Sequence, residues 1–359
     1  MLAIAAGIWA WSRDERRVGG GAVVAGLFGI GLGLLATQSS ESHLNQVVVW
    51  SALGAATLRY ATPLTFAAIG GLFCERSGVV NVALEGMLLT GAFFGIWGAI
   101  WAHSWAGNLA WIVGLAAAAL AGMVLATIHA IWAIHLKVDQ IISGTAINFL
   151  ALGITGYLFI EQYGDTGTPG NVPDYGIPDV HIHFIQNWYF IGPILGQLNL
   201  MIWLSFLLLI GTYIFVFRTP YGLRLRAVGE HPRAADTVGI SVYKVRYMAV
   251  IASGAIAAMG GAYLSIGFVH SFNEGMTNGT GFIGLAALVF GKWRPFPTWA
   301  ATLLFGFSSA LADRLPNAYG NQWGTLFQAL PYVLTLVAVA GVIGRSIGPA
   351  AAGRPYVKQ

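Results

Sequence analysis

The sequence predicts an all-α, polytopic membrane protein of about ten crossing helices, some of them broken or half-length. Composition excludes an ordinary soluble domain, since 57% of the 359 residues are hydrophobic, 9% are charged and the mean hydropathy is +0.70. Apolar runs recur at about 19–38, 45–74, 79–101, 109–134, 140–160, 200–217, 247–268, 297–313 and 326–344, with a shorter one at 281–291. The third observation is the basic residues, which fall almost entirely on one side when every run is counted as a crossing.

The first apolar stretch, Leu2 to Trp11, is short for a span and has no charged region before it. It predicts a truncated or partly inserted helix rather than a cleavable signal peptide. The run from Asn45 to Cys74 exceeds one span and contains Pro63 between Thr62 and Thr65, which predicts a kinked or discontinuous helix. Thr280 to Gly291 is too short to cross unaided and is closed by Lys292, Pro295 and Pro297, as a half-helix would be. Transporters place substrate at such breaks, because irregular backbone survives at membrane depth only inside protein or beside water. A simple proline kink with a short tilted helix fits the same residues. The many glycines, 48 in all, suit close helix packing, and Gly91, Gly95 and Gly98 read as packing positions.

On the inside lie Arg13, Arg16, Arg17, Arg76, Lys137, Arg218, Arg224, Arg226, Arg233, Lys244, Arg246, Lys292, Arg294, Arg345, Arg354 and Lys358, of the 18 Lys and Arg in the chain. Arg314 alone falls outside, with the acids Glu41, Glu161, Asp165, Asp174, Asp179, Glu274 and Asp313, and Arg59 lies within an apolar run. This bias fixes the 217–246 loop as cytoplasmic and the 161–199 loop as extracytoplasmic within one transmembrane domain spanning 1–359. The 161–199 loop carries no Lys or Arg and is longer than a connection requires. It suits a cap on a pathway, a contact for an extracytoplasmic partner, or a plain solvated loop.

The cytoplasmic loop has its own structure. Pro232 suits a first helical position and Gly239 the position past a helix end, which predicts a helix over Pro232 to Val238. At 100° per residue Ala234, Ala235 and Val238 share one face, and Arg233, Asp236 and Thr237 the other. Such a helix fits a groove on a soluble partner, or packs on its own bundle.

Catalytic motifs are missing. No GxxxxGK[ST] phosphate loop and no HExxH occurs, and Gly291-Lys292-Trp293 lacks the hydroxyl residue and the glycine spacing. His181 and His183 have no third ligand nearby, and the single Cys74 excludes an intrachain disulfide or a cysteine metal site. No metal, cofactor or nucleic acid is expected. His129 and His135 read as local polar anchors near the inner end of a span.

Polar groups within spans carry more information, because they are costly there. Asn81 and Glu85 are four apart on one helical face, and Thr145 lies three before Asn148. These four are the candidate substrate-pathway residues. The competing role is helix-to-helix bonding, worth about 0.6 kcal/mol per contact.

Four strings closely resemble the permease subunits of ATP-binding-cassette importers in the branched-chain amino acid, ribose and related sugar group. They are TPLTFAAIGGLFCERSGVVNVALEGMLLTGAFFG (Thr62 to Gly95), KVDQIISGTAINFLA (Lys137 to Ala151), GLRLRAVGEHPRAADTVGIS (Gly222 to Ser241) and GFIGLAALVFGKWRP (Gly281 to Pro295). ERSGVVNVALEG and GEHPRAADTVGI look like the branch that imports nucleosides such as guanosine, or purine bases. The resemblance implies a type II-like permease fold, a second permease chain forming a heterodimeric pore, ATPase subunits on separate polypeptides, and an extracytoplasmic substrate-binding lipoprotein. It places the chain in a bacterial inner (cytoplasmic) membrane, surrounded by lipid and doing no chemistry itself. It also implies that Glu230, Pro232, Arg233, Ala234, Ala235, Asp236 and Gly239 form the coupling helix gripped by the ATPase. His231 stands where the pattern has Asn, and Cys74 where it has a small hydroxyl residue. Import of a sugar or branched-chain amino acid is the nearest alternative. A proton- or ion-coupled secondary transporter with Glu85 as proton carrier, or a membrane-embedded enzyme, comes from other classes.

Overall fold

A computed structural model describes residues 50–164, 168, 176–188, 191–319, 329, 331–333 and 347–358. The expectations for Leu2 to Trp11, for the run at 19–38 and for nearly all of 326–344 lie outside those residues. The described chain is overwhelmingly helical. It runs α1 (Trp50–Arg76), α2 (Leu84–Ala106), a 3-10 turn (Gly107–Leu109), α3 (Ala110–Ala130) continued by a π turn (Ile131–His135), and α4 (Gln140–Tyr163). After a short irregular section come α7 (Leu200–Arg218), α8 (Pro220–Glu230), α9 (Pro232–Thr237), and α10 (Val242–Ala262) with a π stretch (Tyr263–Val269). The half-helix α11 (Thr280–Phe290) and α12 (Pro295–Tyr319) complete it. The section between α4 and α7 holds β1 (Asp179–His181), the one-turn helices α5 (His183–Gln186) and α6 (Gly192–Leu195), and β2 (Gln197–Asn199).

Four described stretches are long and apolar enough to cross a membrane: Leu84–His135, Gln140–Tyr163, Leu200–Arg218 and Val242–Val269. Leu84–His135 folds back through its 3-10 turn into the pair α2 and α3. On α4 the side chains of Ile142, Phe149 and Tyr157 are exposed, as hydrocarbon-facing residues are. Strands β1 and β2 pair antiparallel with Val180 opposite Leu198, a small departure from a purely helical chain. They bring the ends of this section together, and Asn199 secures them by donating to Ile177 O at 2.8 Å and accepting from Met201 N at 3.0 Å.

The chain divides into two compact units, one of Met1–Tyr60, Ile182–Gly196 and Leu303–Ser346, the other of Ala61–His181, Gln197–Thr302 and Ile347–Gln359. Within the first, Arg314 donates to Ala52 O at 3.2 Å. The second holds every candidate site residue. Its centre is α10, flanked by α2, α3 and α1, with small residues where backbones approach. Gly122 of α3 and Gly254 of α10 back onto each other, and Gly261 lies directly against the Leu88 carbonyl. Burial of small faces is the packing mode available in lipid, where apolar side chains gain little from leaving the solvent. Gly261→Val is therefore expected to destabilise the bundle by about 3 kcal/mol or more, because the added side chain overlaps backbone that cannot swing away. A lower thermal midpoint of the detergent-purified protein is the check, and an unchanged midpoint would mean that α2 and α10 are not in this contact.

Of the kinked or discontinuous helix expected at Pro63, the discontinuity is not at that residue. Helix α1 runs unbroken through Pro63. Thr65 returns its hydroxyl proton to Ala61 O at 2.8 Å and meets Thr302 of α12 at 2.9 Å. The discontinuity follows Arg76. There Gly78, at φ +90, closes the helix with Gly78 N to Glu75 O at 2.9 Å and Val79 N to Cys74 O at 3.4 Å. That is the paired 5→2 and 6→1 arrangement in which a left-handed glycine ends a helix. The half-helix expected at 280–291 is present as α11.

Candidate functional site

Residues 77–83, between α1 and α2, are not helical, although they sit among buried helices. The chain leaves α1 at Arg76, and α2 starts only at Leu84. Peptide groups held at this depth must find partners within the protein. Side chains supply them. Gln140 Oε1 accepts from Val80 N at 2.6 Å, and His129 Nε2 pairs with Val80 O at 3.1 Å. Further along, Asn148 Nδ2 donates to Val82 O at 3.0 Å while its Oδ1 accepts from Gly86 N at 2.8 Å. Gln140 and Asn148 are eight residues apart on α4, so the segment climbs about 12 Å into the bundle between them.

Asn81 is fully buried in the same segment. Its Oδ1 accepts from Ala83 N at 3.0 Å, steering the chain into α2, and its Nδ2 donates to Ser253 Oγ of α10 at 2.9 Å. His129 shares its other ring nitrogen with Ser143 Oγ at 2.9 Å. Thus α3, α4 and α10 each lend a polar side chain to the one irregular stretch.

Glu85, in the first turn of α2, reaches a different target. Its Oε1 accepts from Gly279 N at 2.7 Å and its Oε2 from Gly281 N at 2.6 Å. Both carboxylate oxygens therefore cap the N-terminus of α11, where unpaired N–H groups and the helix dipole favour a negative charge. Thr145 stands apart from the other three. It is exposed, and its hydroxyl bonds Ile141 O of its own helix at 2.9 Å. The structure thus gathers Asn81, Asn148 and Glu85 around the break and leaves Thr145 on the outer face of α4.

Sequence reading passed over Gln140 and undervalued His129, because a polar residue at a span end looks like a surface anchor. The signal available was their number: four polar side chains, Gln140, Ser143, Asn148 and His129, near the inner ends of two neighbouring spans. Among the described residues no group of three or more His, Cys, Asp or Glu is placed to hold a metal.

The second region is the 217–246 segment. Thr219 caps α8 by accepting from Gly222 N at 3.1 Å, with Pro220 in the first turn. Helix α9 starts at Pro232 and ends in a Schellman turn, with Gly239 N to Asp236 O at 3.0 Å, Ile240 N to Ala235 O at 3.0 Å and Gly239 at φ +83. His231 makes no side-chain cap bond.

The face assignment from the helical wheel needs correction. Ala235 is 3% exposed and packs with Val228, Val242 and Tyr356, whereas Ala234 and Val238 are exposed. The helix lasts only six residues, so Val238, at φ −94 and ψ 16, has left the 100° progression. The Schellman turn also draws Ile240 onto Ala235 and turns that residue inward. Arg233 and Gly239 are exposed and Pro232 is half-buried.

Residues 347–358 run beneath this loop. Ala351 N donates to Gly229 O at 2.9 Å, and Ala350 N donates to the Glu230 carboxylate at 3.2 Å. The Tyr356 hydroxyl bonds the Asp236 carboxylate. Arg246, counted among the basic residues of the loop, is 1% exposed and donates from Nη1 to Arg354 O at 3.1 Å. Arg76 lies within electrostatic reach of Glu230, Arg226 and Arg294. Basic residues from four separate stretches, assigned to the inside by charge alone, thus meet at one end of the bundle.

A bundle of helices long and apolar enough to cross a membrane, with a non-helical segment and a half-helix among them, defines a multi-pass membrane protein. Residues 54–339 match the family described as the permease component of branched-chain amino acid transport systems, and the chain belongs to that family. The guanosine ABC transporter permease NupQ of Bacillus subtilis is 39% identical over 330 residues, covering 87% of this chain and 98% of that protein. The nucleoside ABC transporter permease NupC of Lactococcus lactis is 35% identical over 321 residues, covering 88% and 99%. The putative glucose ABC transporter permease TsgC13 of Haloferax volcanii is 37% identical over 263 residues, covering 72% and 76%. The same two bacteria hold more distant relatives with matching descriptions, NupP at 28% and NupB at 23% identity.

Proposed function

We propose that this chain is one half of the pore of an ATP-driven importer that carries nucleosides or purine bases across a bacterial cytoplasmic membrane. The observation that carries the solute is the match to two nucleoside permeases along nearly their whole length. The pairs NupQ with NupP and NupC with NupB support a second, related permease chain as the other half. The whole chain, 1–359, is then one permease domain of about ten helices, with ATPase subunits beneath it and a substrate-binding lipoprotein outside.

In this reading α9 receives force from the ATPase through its exposed residues Arg233, Ala234 and Val238. Glu230, Ala235 and Asp236 hold the helix to the bundle from behind, through the 347–358 segment and the apolar cluster under α9. The pathway passes the break at 77–83, where Asn81 and Asn148 shape the backbone and Glu85 sets the half-helix. Two states of the bundle expose the pathway alternately to each side.

The likeness to a putative glucose permease supports the nearest alternative, a sugar. Vesicles holding the reconstituted complex, with ATP at the ATPase face and the binding protein at the other, separate the two. Saturable uptake of labelled guanosine with no uptake of glucose is expected, and the reverse pattern overturns the nucleoside reading.

A further inference from the structure

We propose that the half-helix α11 is clamped at both ends to the α1–α2 break, so that α1, α2 and α11 turn as one body while the importer cycles. The positioning residues are Glu85, Glu75, Arg76 and Trp293. At the N-terminal end, Glu85 holds Gly279 and Gly281 through both carboxylate oxygens. At the C-terminal end, the Trp293 indole N–H donates to Glu75 Oε2 at 2.5 Å. The carbonyl of the same Trp293 accepts from Arg76 Nε at 3.0 Å and Nη2 at 2.7 Å. The three clamp residues other than Trp293 come from one eleven-residue stretch, 75–85, that brackets the break.

Two further observations support a clamp rather than incidental contact. Lys292 and Trp293 lie at φ +53 and +54, a left-handed conformation that costs non-glycine residues roughly 1–2 kcal/mol each. Such a turn persists where its surroundings hold it, and Glu75 and Arg76 are those surroundings. The middle of α11 also lies flat along α1. A Cβ at Gly284 would stand 2.7 Å from Ala67 Cβ, and one at Gly71 would stand 3.2 Å from the Leu288 side chain. The two helices run in the same direction and touch along that face.

The rival behaviour is a gate, in which α11 moves against α1 to open the pathway. Glu75 is 4% exposed and in the clamp needs only an acceptor oxygen, so Glu75→Gln is expected to behave as wild type while Glu75→Ala does not. Glu85→Ala and Trp293→Phe each remove an end of the clamp.

The proposal rests on the transport reading, and its first arm is independent of the solute. In the purified permease complex, amide exchange across 279–293 is expected to speed up about ten-fold in Glu85→Ala and Trp293→Phe and to stay unchanged in Glu75→Gln. In vesicles, the same two variants should show maximal uptake at least five-fold lower with an unaltered half-saturating concentration. Gly71→Cys with Leu288→Cys, made with Cys74→Ser, then joins α1 to α11, and the oxidised form should transport like its own reduced form. Uptake abolished by oxidation and restored by reductant would show a moving gate and overturn the proposal. Unchanged exchange in Glu85→Ala and Trp293→Phe, or Glu75→Gln as impaired as Glu75→Ala, would overturn it as well. A wrong solute would silence uptake in the wild type but leave the exchange result standing.

Discussion

Val238→Asp combined with Ala234→Arg is expected to reduce association of the ATPase with the permease at least about ten-fold, and uptake with it, while the bundle keeps its thermal midpoint. Both side chains are exposed at the free surface of α9, and Val238 is 74% exposed, an unusual position for valine unless another protein covers it. A charge placed in the core of a protein contact costs several kcal/mol, and 1.4 kcal/mol is already ten-fold. Ala235→Arg gives the necessary contrast. That position is closed by Val228, Val242 and Tyr356, so the substitution buries an unpaired charge and loosens the loop itself. Co-purification of the ATPase, read beside the thermal midpoint, separates the outcomes. An intact complex in the double variant would mean that α9 is not the docking element.

Asn148→Leu is expected to destabilise the protein by about 2–5 kcal/mol. The substitution leaves the Gly86 N–H and the Val82 carbonyl unpaired, and each buried unpaired group costs roughly 1–3 kcal/mol. Asn148→Asp keeps the acceptor for Gly86 and loses the donor for Val82, so its effect should be distinct from that of Leu and should depend on the carboxylate ionising. Thr145→Val, three residues away on the exposed face, should change the midpoint little. Thermal unfolding in detergent and uptake kinetics together decide what Asn148 does. A normal midpoint with weakened substrate affinity would make Asn148 a ligand rather than a support for the backbone.

These two predictions use different information. The helix α9 was legible because caps are local: Pro232 and Gly239 announce a start and an end within a few residues. Which of its alanines faces outward was not legible, because the 100° count fails on a helix of six residues whose closing turn sets the orientation. Pro63 drew attention to the wrong place for the break. Proline removes one hydrogen bond, and an otherwise intact α1 tolerates that loss, whereas the Ser77-Gly78 ending is a full stop. Arg246 entered the charge count as one more loop cation, but its burial depends on residues over a hundred positions later.

From the sequence alone came what depends on composition and short-range order: a membrane-embedded helical chain, its half-helix at 280–290 and its family. Hydropathy period, charge bias and capping are properties of neighbouring residues, so no fold is needed to read them. Tertiary structure alone decided which groups the candidate polar residues bond. Asn81, Glu85 and Asn148 are recognisable as costly residues in the sequence. Their partners, however, are backbone groups left unpaired where α2 and α11 begin and a side chain on α10, and those become neighbours only after the helices pack.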